Sequence, residues 1–286
     1  MRGTGLRLSV TLLTVIPWRV AGDNAATGGG PDRSPDGGPD GGTAPPRAAA
    51  GAAMAWAPAV GLLLGVIASA VLLLADHPLG AGPLTASGLA VGSLALLTRG
   101  LHLDGLADLA DGLASGKPAP AALDIMRRSD IGPLGVVTLV LTLLLQVAAL
   151  SQAESAGHGR GPAALIAAVV TGRLALTWAC RRGVPAARPD GLGALVAGSV
   201  RPAVPAVATA VTLAAAAAAV AISAAEAGGQ IGWTLPLAVA AGLAVAFAVQ
   251  LHAVRRLGGI TGDVLGALAE IATAVTLVVA AMGPPA

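Results

Sequence analysis

The stretch LHLDGLADLADGL, residues 101–113, places Asp104, Asp108 and Asp111 close together, with His102 just ahead of them. On a helix, residues three and four apart share a face, so the three carboxylates would point the same way. Like charges on one face repel, and such a cluster is tolerable when solvated, protonated or bridged by a cation. The chain has a single cysteine, Cys180, so a metal would be held by oxygen. Oxygen ligands suit a hard ion, and Mg²⁺ is the natural choice where phosphate is also bound. Asp104, Asp108 and Asp111 are therefore candidate metal ligands and acid–base groups. Gly105 and Gly112 leave room for a bulky ligand to approach the backbone. The same residues would also make a solvated turn. His102 falls on a different helical face, where it is a candidate base, a phosphate contact or an interfacial side chain.

A second polar group lies far away in sequence. GGITGDVLGALAE, residues 258–270, is a glycine-rich turn leading into an apolar run. Thr261 has the character of a helix N-cap, with Asp263 in the first turn. N–H groups at such a turn, around Gly259 and Gly262, can hold phosphate oxygens. Asp263 is a further candidate metal carboxylate or base, and Glu270 lies deeper on about the same face. A capped helix start with Glu270 paired internally is the alternative.

The basic residues add phosphate-binding candidates. LDIMRRSDIGPLG, residues 123–135, carries Arg127 and Arg128 before Gly132 and Pro133. Arginine matches phosphate in bidentate geometry, although topology charges would look the same. Arg173 is the only basic residue inside an apolar segment, where a charge marks function or a structural ion pair. RPDGLG, residues 188–193, reads as a turn.

These groups must be positioned by a very apolar chain. Only 11% of the 286 residues are charged and 55% are hydrophobic, with a mean hydropathy of +0.78. Soluble domains carry about a quarter charged residues, so an all-α, polytopic membrane protein is expected. Continuous rather than alternating apolar runs and few aromatics argue against a barrel. Spanning segments are expected near 52–74, 79–97, 133–150, 162–180, 203–225, 233–252 and 264–282. The connections near 98–132, 181–202 and 253–263 collect basic residues, as does the N-terminal region, whereas the alternate connections hold only Arg160. By the positive-inside rule this puts the N-terminus and the three basic loops in the cytoplasm.

Residues 1–21 are expected to form an N-terminal interfacial or re-entrant helix. Arg2 and Arg7 followed by LSVTLLTVIPW resemble a signal peptide, but Thr11, Thr14 and Pro17 interrupt the run. Residues 22–51, rich in Gly, Pro and Asp, read as a disordered insert that buries too little apolar surface to fold. Residues 52–286 then form one transmembrane catalytic domain.

The blocks RGLHLDGLADLADGL, LDIMRRSDIGPLGV, TGRLAL around Arg173, ARPDGLG and RRLGGITGDVLGALAE occur in an order that resembles the adenosylcobinamide-GDP ribazoletransferase, or cobalamin synthase, family. The resemblance implies a Mg²⁺-dependent enzyme of the bacterial cytoplasmic membrane. It would join adenosylcobinamide-GDP to α-ribazole, or its 5′-phosphate, and release GMP late in cobalamin biosynthesis. It implies attack by the ribazole 5′-hydroxyl, a metal face of Asp104, Asp108, Asp111 and Asp263, and phosphate partners in Arg127, Arg173 and Arg255. Here the order Arg127-Arg128-Ser129-Asp130 exchanges acid and base relative to the family pattern. Lipid surrounds the chain, no nucleic-acid partner is expected, and a homo-oligomer is compatible with the pattern. Two other readings compete: a CDP-alcohol phosphotransferase-like enzyme, which would need an Arg and further aspartates that are missing here, and an ion-coupled transporter with carboxylates near mid-membrane.

Overall fold

The structure, a computed structural model, describes Ser9, Leu13, Thr14 and residues 47–128, 130–157, 159–225 and 232–282. Among these residues it is helical throughout, with only isolated bridges between Arg181 and Val200 and between Ala186 and Ile260. The helices are α1 (Arg47–Asp76), α2 (Pro83–Leu97), α3 (Leu101–Ala114), α4 (Ala119–Ile125), α5 (Pro133–Ser155), α6 (Arg160–Ala179), α7 (Gly191–Val196), α8 (Ala203–Ala225), α9 (Thr234–Leu257) and α10 (Gly262–Ala281).

Each apolar run read from the sequence becomes a helix. Six helices (α1, α5, α6, α8, α9 and α10) are long and apolar enough to span a membrane. The run at 79–97 is the exception. It yields α2, whose 15 residues reach about 22 Å at 1.5 Å per residue, short of the roughly 30 Å hydrocarbon core. α2 instead bends by 88° into α3. The corner is made by Arg99 and Gly100, at φ 53° and 67°. A left-handed arginine is a strained conformation that packing must maintain. Because of the bend, α3 lies across one end of the bundle instead of continuing the direction of α2. A second difference concerns the N-terminal boundary: α1 begins at Arg47, so residues 47–51, assigned to the insert, are helical. The helix expected over 1–21 and the remainder of the insert fall outside the described residues, apart from buried Ser9, Leu13 and Thr14.

The core is built around α10, the most buried of the spanning helices; α8 is the least. α10 packs on α3, α5, α6 and α9, while α1 packs on α6. With no hydrophobic drive between helices in lipid, close packing depends on small residues. Gly172 of α6 abuts Ala269 and Thr273, and Gly242 of α9 abuts Ala272 and Thr276. The loops flanking α3–α4, α7 and the α9–α10 turn converge at one end. There Ala187 N–H donates to the Ile260 carbonyl at 3.0 Å, and Ile260 N–H to the Pro185 carbonyl at 2.9 Å. At the opposite end His77 Nε2 lies 3.9 Å from Glu154 Oε1, and Gln152 donates to the Ala281 carbonyl at 3.0 Å.

Candidate functional site

The two acidic segments meet where α3 crosses the first turn of α10. Gly105 and Gly266 form the crossing point. A Cβ at Gly105 would lie 2.8 Å from the Asp263 carbonyl oxygen, and one at Gly266 3.0 Å from the His102 carbonyl oxygen. Both sites require the missing side chain. The sequence suggested that Gly105 admits a ligand; it admits the backbone of α10 instead, and that approach brings Asp263 beside Asp104 and Asp108.

The crossing borders a cavity of about 300 Å³ lined by His102, Asp104, Arg188, Asp190, Thr261, Gly262 and Asp263, together with apolar side chains. Thr261 caps α10 as its residue type suggested: its hydroxyl accepts from Val264 N–H at 3.1 Å and donates to Asp263 Oδ2 at 3.2 Å. Asp108 lies one turn along α3 from Asp104. Its pKa is raised to about 7, first by burial and then by repulsion from Asp104, Asp263 and Asp111, with Arg188 opposing. The displacement reflects burial first, with the neighbouring carboxylates adding to it.

Arg188 was read as part of a turn, and nothing local in RPDGLG distinguishes it. In the fold it lines the cavity with Nη1 3.9 Å from Asp263 Oδ2, and it is anchored by donation to the Leu123 carbonyl. Its buried Nε has no hydrogen-bond partner among the described residues, so the guanidinium retains donor capacity. Arg127 sits on the rim, donating to Asp190 at 2.7 and 3.0 Å. Both side chains are at least half exposed, so this pair contributes about 0–1 kcal/mol and exchanges readily for another anion.

Several sequence-derived assignments take different places. Asp111 lies outside the cavity lining, and its oxygens accept from Gly132 N–H at 2.7 Å and Gly135 N–H at 2.9 Å. It thereby caps α5, satisfying N–H groups at the helix start that have no intrahelical partner. Arg173 is buried and lines a separate space of about 20 Å³ with Thr98, Gln146 and Glu270. Glu270 is the acid that compensates it electrostatically, and Gln146 donates to Glu270 at 2.9 Å. Its position within α6 keeps its guanidinium out of the cavity lining. Arg255 is exposed in the last turn of α9, away from the cavity. Gly259 is pressed against the backbone of Pro185, Ala186 and Ala187, so it serves loop packing. Gly262 does line the cavity, with Leu192 facing it. His102 also lines it, 2% exposed and with Nδ1 unpartnered among the described residues. Burial and then the Arg173 charge hold its pKa well below the usual value, so its ring is neutral.

The arrangement joins carboxylates, one anchored guanidinium and a neutral imidazole at a partly apolar cavity, a set suited to transfer of a phosphate ester. Comparison with known proteins agrees. The family model described as cobalamin-5-phosphate synthase matches residues 5–281. The adenosylcobinamide-GDP ribazoletransferase of Frankia casuarinae is 43% identical over 98% of this chain and 95% of its own. That of a Nocardioides species is 39% identical over 79% and 84%, and that of Desulforamulus reducens 35% over 75% and 79%. No solved structure matches the chain.

Proposed function

Because this chain belongs to the cobalamin-5-phosphate synthase family, we propose that it joins adenosylcobinamide-GDP to α-ribazole, or to α-ribazole 5′-phosphate, and releases GMP. The observation that carries the reading is the shared cavity: Asp104 and Asp263, from remote parts of the chain, line it together with Arg188.

In the reaction a ribose hydroxyl of the acceptor forms a bond to the phosphorus on the cobinamide side. The pyrophosphate bond breaks, and GMP leaves with the bridging oxygen and its electron pair. A 5-phosphate product keeps its phosphate on the 5′ oxygen, so the attacking group is a secondary ribose hydroxyl; this corrects the expectation of 5′ attack. Asp104 or Asp263, two of the acids lining the cavity, takes the hydroxyl proton. Arg188 stabilises charge growing on the phosphate oxygens, and Arg127 exchanges Asp190 for phosphate at the rim. Asp111 acts indirectly, tying α3 to the start of α5.

We assign Mg²⁺ to Asp104, Asp108 and Asp263. The donors are all carboxylates, which suits a hard ion, and their oxygens do not all lie within 4.8 Å of one another. Mg²⁺ usually takes one or two carboxylates and completes its shell with water and substrate phosphate, so a closed protein cage is not required. When bound, the ion supplies positive charge to the phosphate oxygens. The basic loops gathered at the site end support a cytoplasmic position for the site in the bacterial inner membrane.

The test is GMP release by the purified protein in nanodiscs with both substrates and Mg²⁺. Asp104→Asn and Asp263→Asn are each expected to lower kcat by at least about 100-fold. Wild-type turnover in both variants would overturn the assignment.

A further inference from the structure

A groove of about 470 Å³ opens between α6, α8 and α9 and shares no lining residue with the acidic cavity. Ala240, Leu243 and Ala244 line its length, and Trp178, Phe247 and Gln250 line it nearer the site end of the bundle. Gln250 and Ala240 are ten positions apart on α9. That is about 15 Å at 1.5 Å per residue, the depth of one hydrocarbon leaflet if the whole core is roughly 30 Å. The outer wall is α8, the least buried of the spanning helices. Trp178 Nε1 donates to the Thr209 hydroxyl at 2.9 Å and holds α8 to α6 at the site end.

A cation stands at that end. The guanidinium carbon of Arg181 lies 5.1 Å from the Phe247 ring centroid and 5.9 Å from that of Trp178, within cation–π range. Nη1 donates to the Gln250 side chain at 3.0 Å and to the Trp178 carbonyl at 2.9 Å. All three partner residues line the groove, so the charge is fixed beside it. Both bonds use Nη1, which leaves Nη2 and Nε to donate elsewhere. Two exposed arginines adjoin it, because the Arg182 N–H donates to the Val200 carbonyl at 2.9 Å and brings Arg201 alongside. None of the three forms an ion pair among the described residues. Aromatic rings at a span's end, a basic cluster and an apolar groove one leaflet deep are the parts that recognise a phospholipid. A choline headgroup would bring its own cation into the arginines, whereas a headgroup of net negative charge complements them. We propose that this groove binds an anionic phospholipid of the leaflet on the site side: an acyl chain lies along Leu243 and Ala240, the phosphate accepts from Arg181, and Arg182 and Arg201 add positive charge.

The experiment uses the full chain in a neutral detergent. It is titrated with phosphatidylglycerol or with phosphatidylcholine of the same acyl chains, and retained lipid is counted by native mass spectrometry. The wild type is expected to hold phosphatidylglycerol about tenfold more tightly. Arg181→Gln is expected to lower that preference about fivefold with phosphatidylcholine retention unchanged. Ala244→Phe adds bulk at an exposed groove position and keeps every arginine. It is expected to remove the preference, and it decides the matter should Arg181→Gln fail to fold. Equal retention of the two lipids by the wild type would mean an unselective lipid annulus and would overturn the site. So would a wild-type preference kept by folded Arg181→Gln or by Ala244→Phe, or dimers of the chain forming in place of lipid adducts.

Discussion

Asp108 carries the site's charge imbalance in a form that can be titrated. Its pKa near 7 lies well above an ordinary aspartate because burial and three neighbouring carboxylates disfavour its ionised form. The folded chain therefore holds a proton that the unfolded chain releases. Linkage makes this contribution most favourable at low pH and progressively lost as pH rises from about 4 towards 7. For cation binding the sign is opposite, because a divalent ion requires the ionised acid. Mg²⁺ affinity is expected to fall about tenfold between pH 8 and pH 6 through this one group, and Asp108→Asn is expected to flatten that dependence. Isothermal titration of Mg²⁺ at the two pH values checks this; equal affinities in the wild type would remove Asp108 from the ion site.

Helix packing converts these residues into a site, and the crossing of α3 over α10 is the decisive contact. A methyl group at Gly105 would meet the Asp263 backbone, which cannot move aside as a flexible side chain does. Gly105→Ala and Gly266→Ala are expected to destabilise the fold by about 1–3 kcal/mol and to reduce GMP release by more than the loss of folded protein explains. Thermal unfolding alongside activity per folded molecule measures both. Much of this level was legible in the sequence. Continuous apolar runs marked the helices, Thr261 marked the start of α10, and spacing put Asp104 and Asp108 on one face. The tertiary partners were not legible. Asp111 caps a helix more than twenty residues away, Arg188 looks like any turn arginine until it meets Asp263, and Gly259 gives no local sign that another loop presses on it. Such roles depend on contacts between remote segments, which local propensity and periodicity do not encode. Arg173 was singled out correctly as an unusual charge, but its compensation by Glu270 inside the bundle decides its surroundings.

For the molecule as a whole, the chain alternates between two ends. The starts of α1, α5, α8 and α10 and the finishes of α6 and α9 gather at the end bearing the site. This arrangement makes the proposed orientation testable with thiol chemistry, because Cys180, the native thiol, is fully buried. Arg255→Cys marks the site end and Leu79→Cys the other; both positions are exposed. In intact cells a membrane-impermeant maleimide is expected to label Leu79→Cys and to spare Arg255→Cys until the membrane is opened. The reverse pattern would invert the topology.

The corner at Arg99 and Gly100 also acts as a depth gauge. If the far end of α2 is anchored at the opposite headgroups, a helix reaching about 22 Å stops roughly 8 Å short of the near hydrocarbon boundary. α3, turning sideways there, floors the cavity beneath the phospholipid headgroups, unless the bilayer thins to meet it. Phosphate esters would then meet their acids where bulk water is giving out, and each attraction counts for more than it would in open solution.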